Sequence, residues 1–243
     1  MTAARAEGPA VGQKSFPDDD WLDELKHYVK RGSPLVTVLG TEVNLPAPGP
    51  LARGECAAVG ALADLRSVER ETEIASQLET TGVVGALIRA MKKQQVIFDE
   101  AEHHLSDIAS YALGRVEDPI FRLKAHFNRA RPWHCDPELR RLFPKGHPAH
   151  PGHPSYPSGH STQAHTVAFL FARRAPQLKD VLLMAAARIA LNREIAGLHF
   201  PSDSAAGRML GEAFADAIIE APKSHQDDDW LAFRRRYDAL DDI

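Results

Sequence analysis

The segment from Ala205 to Ile218 leaves the chain the least freedom. Ala205, Ala206, Met209, Leu210, Ala213, Phe214, Ala217 and Ile218 recur at i, i+1, i+4 and i+5, with Arg208, Glu212 and Asp216 on the opposite side. That period fits a helix with one face in a core and does not fit a strand. Residues 160–174 (HSTQAHTVAFLFARR) are apolar nearly all round in their second half, which marks a buried helix. A further helix is predicted over 178–197, with Gly197 as its stop. Upstream, 53–80 and 83–113 read as two long helices, broken near TTGVVG, the second ending at Gly114. Ile88, Met91, Ile97, Phe98, Ala101, Leu105 and Ile108 supply a helical face. Asp18–Asp20 open another helix, closed by Gly32 and Pro34, with a Pro/Gly loop over 33–53. Only SPLVTVLGTEV (33–43) carries a strand signal, and a weak one. The expectation is an all-α, single-domain helical bundle over 18–243, preceded by a mobile tail at 1–17 that lacks any periodicity.

Several classes are disfavoured at once. A net charge of -4 argues against a nucleic-acid partner, which needs a basic surface. The most apolar stretch, 181–191, is interrupted by Arg188 and falls short of a membrane span, so no integral membrane segment is expected. The N-terminal residues lack the apolar core of a secretory signal, which points to a cytoplasmic location. Cys56 and Cys135 are too few and too far apart for a disulfide framework or a cysteine zinc site, and both read as thiols.

Three blocks carry chemistry on this helical frame: KAHFNRARP with Lys124 and Arg131, YPSGH with Ser158, Gly159 and His160, and NREIAGLHFPSD with Arg193, His199 and Asp203. Taken singly they read as surface cations, a capped turn and a helix-end ion pair. Together they suit a phosphate-like anion. Two arginines offer planar forks, Lys124 a point charge, Ser158 a hydroxyl, and Gly159 a helix N-terminus that a ligand can approach closely. Asp203, four residues after His199, can accept the Nδ1 proton and leave Nε2 free as a nucleophile. His160 is then the proton donor to the leaving group.

The three blocks resemble the type 2 phosphatidic acid phosphatase superfamily, which includes bacterial non-specific acid phosphatases and vanadium-dependent haloperoxidases. The likeness covers 124–203, with Asn192 standing where the family usually has serine. It implies that His199 is phosphorylated or binds vanadate, and that Lys124, Arg131, Ser158, Gly159, His160 and Arg193 hold the oxyanion. His153, seven residues before His160, stands where some haloperoxidases of the superfamily have a histidine or aromatic residue beside vanadate; the bland alternative is a loop histidine at the pocket mouth.

The reading that follows is a phosphatase or phosphotransferase for a small soluble phosphate ester, working without metal or cofactor through a phosphohistidine. A vanadate-dependent haloperoxidase is the alternative, and a non-catalytic phosphate-binding module the third class. His147 and His150 read as loop residues with weak metal binding left open. Glu100, His103 and His104 have ligand-like spacing but lack a third partner and read as a solvated face. The C-terminal segment reads as an amphipathic surface helix packing Trp230, Leu231, Phe233 and Leu240, with homo-oligomerisation left open.

Overall fold

The computed structural model describes residues 14–50, 54–94 and 102–242. Nine α-helices follow a short hairpin among these residues: β1 (Leu35–Val38), β2 (Thr41–Asn44), α1 (Glu55–Ala63), α2 (Val68–Ala75), α3 (Thr80–Lys92), α4 (Glu102–Phe127), α5 (Pro132–Cys135), α6 (Gly159–Arg174), α7 (Lys179–Ile195), α8 (Pro201–Ile219) and α9 (Asp228–Asp238). Helix α6 is the hub and packs against α3, α4, α7 and α8. Its middle turns, from Ala164 to Ala172, are buried on every side.

Two glycines set the tightest contact. A Cβ on Gly207 would lie 2.7 Å from Ser161 Cβ, and one on Gly211 2.7 Å from His165 Cβ. Only glycine lets the backbones of α6 and α8 come so near. Gly207 faces Ser158 and Ser161 while Gly211 faces Thr162, His165 and Thr166, so the two helices run parallel. Their N-termini, each carrying partial positive charge, therefore end on the same side of the molecule.

The bundle departs from the sequence reading in several places. The 33–43 segment forms an antiparallel hairpin and not a single strand, with Val36 paired to Val43. Leu39 and Gly40 both have positive φ, 46° and 82°, as a two-residue hairpin loop requires. The segment after Asp18 forms two 3-10 turns, Asp18–Asp20 and Asp23–Lys30, and no α-helix. Leu22 between them is extended, and its N–H donates to the Gly152 carbonyl. That long-range bond, with Trp21 buried beside Phe16, outweighs local helix preference.

The long helix expected over 53–80 is two short ones, the second capped by Ser67 Oγ on the Arg70 N–H. The break expected near TTGVVG falls just before it, at 76–79, and TTGVVG itself opens α3. A Cβ on Gly82 would stand 2.0 Å from the Ser76 carbonyl, so this glycine allows a close backbone passage. Gly114 does not end α4, because Val116, Ile120 and Leu123 carry the buried stripe onward. Of the tail expected at 1–17, residues 1–13 lie outside the described residues. Ser15 pairs with Arg129 and Phe16 is buried, so residues 14–17 belong to the body. Helix α9 packs on its own chain, with Phe233 stacked on Tyr111 at 4.6 Å; Trp230, Phe233 and Leu240 are buried, while Leu231 remains 42% exposed.

Candidate active site

Helix α4 stops at Asn128, whose positive φ of 44° turns the chain out of the helix. The extended run that follows is held on both sides. Ala130 N–H donates to the Lys14 carbonyl, and Ser155 Oγ and N–H donate to the carbonyls of Ala130 and Arg129. Arg129 and Arg131, two residues apart, thus point the same way into the protein, as alternate residues of an extended strand do.

Asp203 is the anchor of the site. As the third residue of α8, its Oδ2 accepts the Phe200 N–H at 3.0 Å, half of a capping box. The same oxygen accepts from His199 Nδ1 at 3.2 Å, and Oδ1 pairs with Arg129 Nη1 at 2.6 Å, both side chains fully buried. Arg129 was not singled out from sequence; its signal was the spacing of NRARP. Glu55 completes the clamp by accepting from Arg129 Nη2 at 3.4 Å and from the Ser202 N–H at 2.9 Å.

Arg131 commits four of its five N–H groups to protein: to the His153 and Leu198 carbonyls, to His199 Nε2 at 3.0 Å, and to His153 Nδ1 at 3.0 Å. A guanidinium only donates, so His199 Nε2 carries the lone pair and Nδ1 the proton, which goes to Asp203. His153 Nδ1 faces two groups of opposite kind, the Arg131 Nη2 donor at 3.0 Å and the Pro154 carbonyl at 3.1 Å. Burial, followed by the charges of Arg131 and Lys124, keeps His199 well below the ordinary histidine range and therefore neutral. Burial also lowers the Arg131 guanidinium to about 9.

Lys124 Nζ donates to the carbonyls of Pro154, Ser155 and Pro157 at 3.0, 3.1 and 2.6 Å. Its hydrogens fix the loop, and its charge reaches the cavity as a field. Burial and then Arg131 push its proton affinity down, against the charge of Asp203, which raises it. Arg193 is the contrasting case: Nη2 donates to the Ile74 carbonyl, but Nε and Nη1 are buried with no partner among the described residues. Unpaired buried donors are rare because their desolvation is uncompensated. The N–H groups on these two nitrogens are the most available for an anion.

One cavity of about 560 Å³ gathers Lys124, Arg131, His153, Gly159, His160, Arg193 and His199. Leu22, Leu25, Ile120 and Phe121 form an apolar wall, and His147 and His150 line it too. His160 donates from Nε2 to the Leu78 carbonyl at 3.1 Å, and burial together with Arg193 lowers it to about 3. Ser158 does not line the cavity; its Oγ caps α6 by accepting the Ser161 N–H. Asn192, expected at the pocket, is also outside the lining. It is buried and ties α7 to α2 through Arg70, Glu73 and Gln77, at 2.8, 3.2 and 2.8 Å. Its side chain faces the helix behind the site. Glu100 lies outside the described residues, and His103 and His104 are exposed.

A family model described as the PAP2 superfamily matches residues 103–226, slightly more than half of the chain. Among solved structures, the crystal structure of a bacterial vanadium-dependent iodoperoxidase is similar with a TM-score of 0.56 at 15% identity, over 90% of this chain and 62% of that one. This chain thus spans less than two thirds of that protein's length, and the likeness is one of fold. Among curated proteins nothing matches the chain. No described helix is long and apolar enough to cross a membrane. With the match spanning α4 to α8, and with it all three sequence blocks, the chain belongs to the PAP2 superfamily.

Proposed function

We propose that the chain is a phosphatase or phosphotransferase that hydrolyses phosphomonoesters through a phosphohistidine on His199. The observation that carries this reading is the state of His199, neutral, with its Nδ1 proton held by Asp203 and its Nε2 lone pair turned to the cationic cavity. Phosphate displaces Arg131 from Nε2 and takes the two unpaired donors of Arg193. Nε2 bonds to phosphorus as the ester P–O bond breaks, and His160 gives a proton to the departing oxygen. Water then attacks the phosphohistidine, its proton returning to His160, and phosphate leaves. Burial and Arg193 hold His160 neutral; the charge of a bound phosphate dianion raises its proton affinity and lets it act as the acid. The apolar wall gives the organic part of a small ester its place.

One observation favours a haloperoxidase as the second reading: His153 lines the cavity and is bonded to Arg131, directly beside His199. The donor set also fits vanadate, an oxyanion of phosphate's shape, with His199, Arg193 and Gly159 as its holders and His153 next to it. Bound there, vanadate would supply the activation of peroxide for halide oxidation.

Turnover of p-nitrophenyl phosphate, measured with EDTA present, separates the two. The phosphatase reading expects turnover that orthovanadate inhibits and that His199→Ala lowers by roughly 10³-fold or more. Unchanged turnover in His199→Ala would falsify the nucleophile assignment. Bromide oxidation by peroxide that appears only with orthovanadate would favour the second reading.

A further inference from the structure

Cys56 and Cys135 stand 79 positions apart in sequence, yet both pack on one small cluster formed with Val59, Leu139 and Phe200. Cys56 is in the first turn of α1 and Cys135 is the last residue of α5, and the two helices touch. Both thiols are free and partly exposed, and they meet where α1 touches α5 on this cluster.

Each thiol has a neighbour in the clamp around His199. Glu55, before Cys56, holds Arg129 and the Ser202 N–H. His134, before Cys135, accepts the Arg131 backbone N–H at 3.1 Å and bonds to Asp20. We propose that Cys56 and Cys135 form an oxidisable dithiol that closes into an intramolecular disulfide behind the active site and locks α1 to α5.

Peroxide is a sufficient oxidant. One thiolate attacks it, giving a sulfenic acid and water. The second thiol displaces a further water and forms the S–S bond, so two thiols and one peroxide give one disulfide and two waters. Burial, and then Cys56 beside it, push the Cys135 thiol up to about 11. Closure is therefore slow at neutral pH and faster as pH rises. The crosslink encloses residues 56–135, the part of the chain that carries Lys124, Arg129 and Arg131. So long a loop gives a large loss of unfolded-state freedom.

The test treats the full chain with hydrogen peroxide at pH 7.5 and pH 9 and follows free thiols, non-reducing peptide mass maps and the thermal midpoint. Both thiols should disappear together in a monomeric 56–135 crosslink, faster at pH 9, and the midpoint should rise by roughly 5–10 °C and fall back with dithiothreitol. Cys56→Ser and Cys135→Ser should each abolish the crosslink and the rise in midpoint. Thiols that survive prolonged treatment at pH 9, or that give only chain-to-chain dimers or sulfinic acids, overturn the proposal. None of these readouts depends on phosphatase or peroxidase turnover, so this inference and the proposed function can fail separately.

Discussion

Asp203 serves three partners with two oxygens: His199, Arg129 and the Phe200 N–H. It fixes the tautomer of His199 while its own charge is balanced inside the protein. Arg129 reaches His199 only through this carboxylate, so in the proposed reaction it is a positioning residue. A buried ion pair that loses one partner costs about 3–5 kcal/mol, because the remaining charge stays buried. Arg129→Lys keeps the charge but loses the fork that spans Asp203, Ser202 and Glu55. It should retain the fold, lower kcat on p-nitrophenyl phosphate by roughly 10- to 100-fold, and leave KM within about threefold. Unchanged kcat with a lowered thermal midpoint would reduce Arg129 to a structural role. Asn192 shows why a motif position need not be a pocket position. The buried amide braces α7 against α2, directly behind the guanidinium of Arg193.

At the scale of elements, the contact of α6 with α8 brings the second and third sequence blocks together. Glycine has opposite uses at two positions here. Gly207 has no room for a methyl group, whereas a Cβ on Gly159 would meet Ile120 and Lys124 at ordinary distances of 3.8 and 3.9 Å. Gly207→Ala should lose about 1–3 kcal/mol of stability through overpacking, read by denaturant titration. Gly159→Ala should keep wild-type stability and weaken inorganic phosphate binding by roughly tenfold, since its methyl group takes space at the N-terminus proposed to hold the anion. If Gly159→Ala binds phosphate as tightly as the wild type, that helix end is not part of the anion site. The same contrast explains the sequence readings that missed. Gly114 was read as a helix end, yet it lies in a helix whose core stripe continues past it, and Gly82, beside a true break at 76–79, serves packing inside α3.

The whole molecule concentrates basic groups in one cavity although the chain is net acidic. Burial and neighbouring cations hold His199, His153 and His160 neutral when folded, His160 at about 3. The unfolded chain takes up protons on these histidines near their ordinary value of about 6.5. Below that pH the unfolded state binds protons that the folded state refuses, so stability is full above 6.5 and declines as pH falls toward 3. The thermal midpoint should therefore be flat from pH 7 to 8 and fall below 6.5. Phosphate should reverse part of this effect, because an anion among the histidines raises their proton affinity. Calorimetry of phosphate binding near pH 6, in buffers of differing protonation heat, should find net proton uptake. A heat independent of buffer would contradict it.

Read alone, the sequence determined the helical class and the buried helix of 160–174, and it supplied the blocks whose Lys124, Arg131, Gly159, His160, Arg193 and His199 line one cavity. Helical period and short motifs are local, so they are legible in order along the chain. The tertiary structure decided which donors remain free. Lys124 and most of Arg131 are consumed by carbonyls and histidines, leaving Arg193 open. It also decided that Arg129 and Glu55 brace Asp203, and that two cysteines remote in sequence pack on one cluster. Those outcomes follow from which backbones approach one another across long loops, and residue type at a single position does not encode that approach.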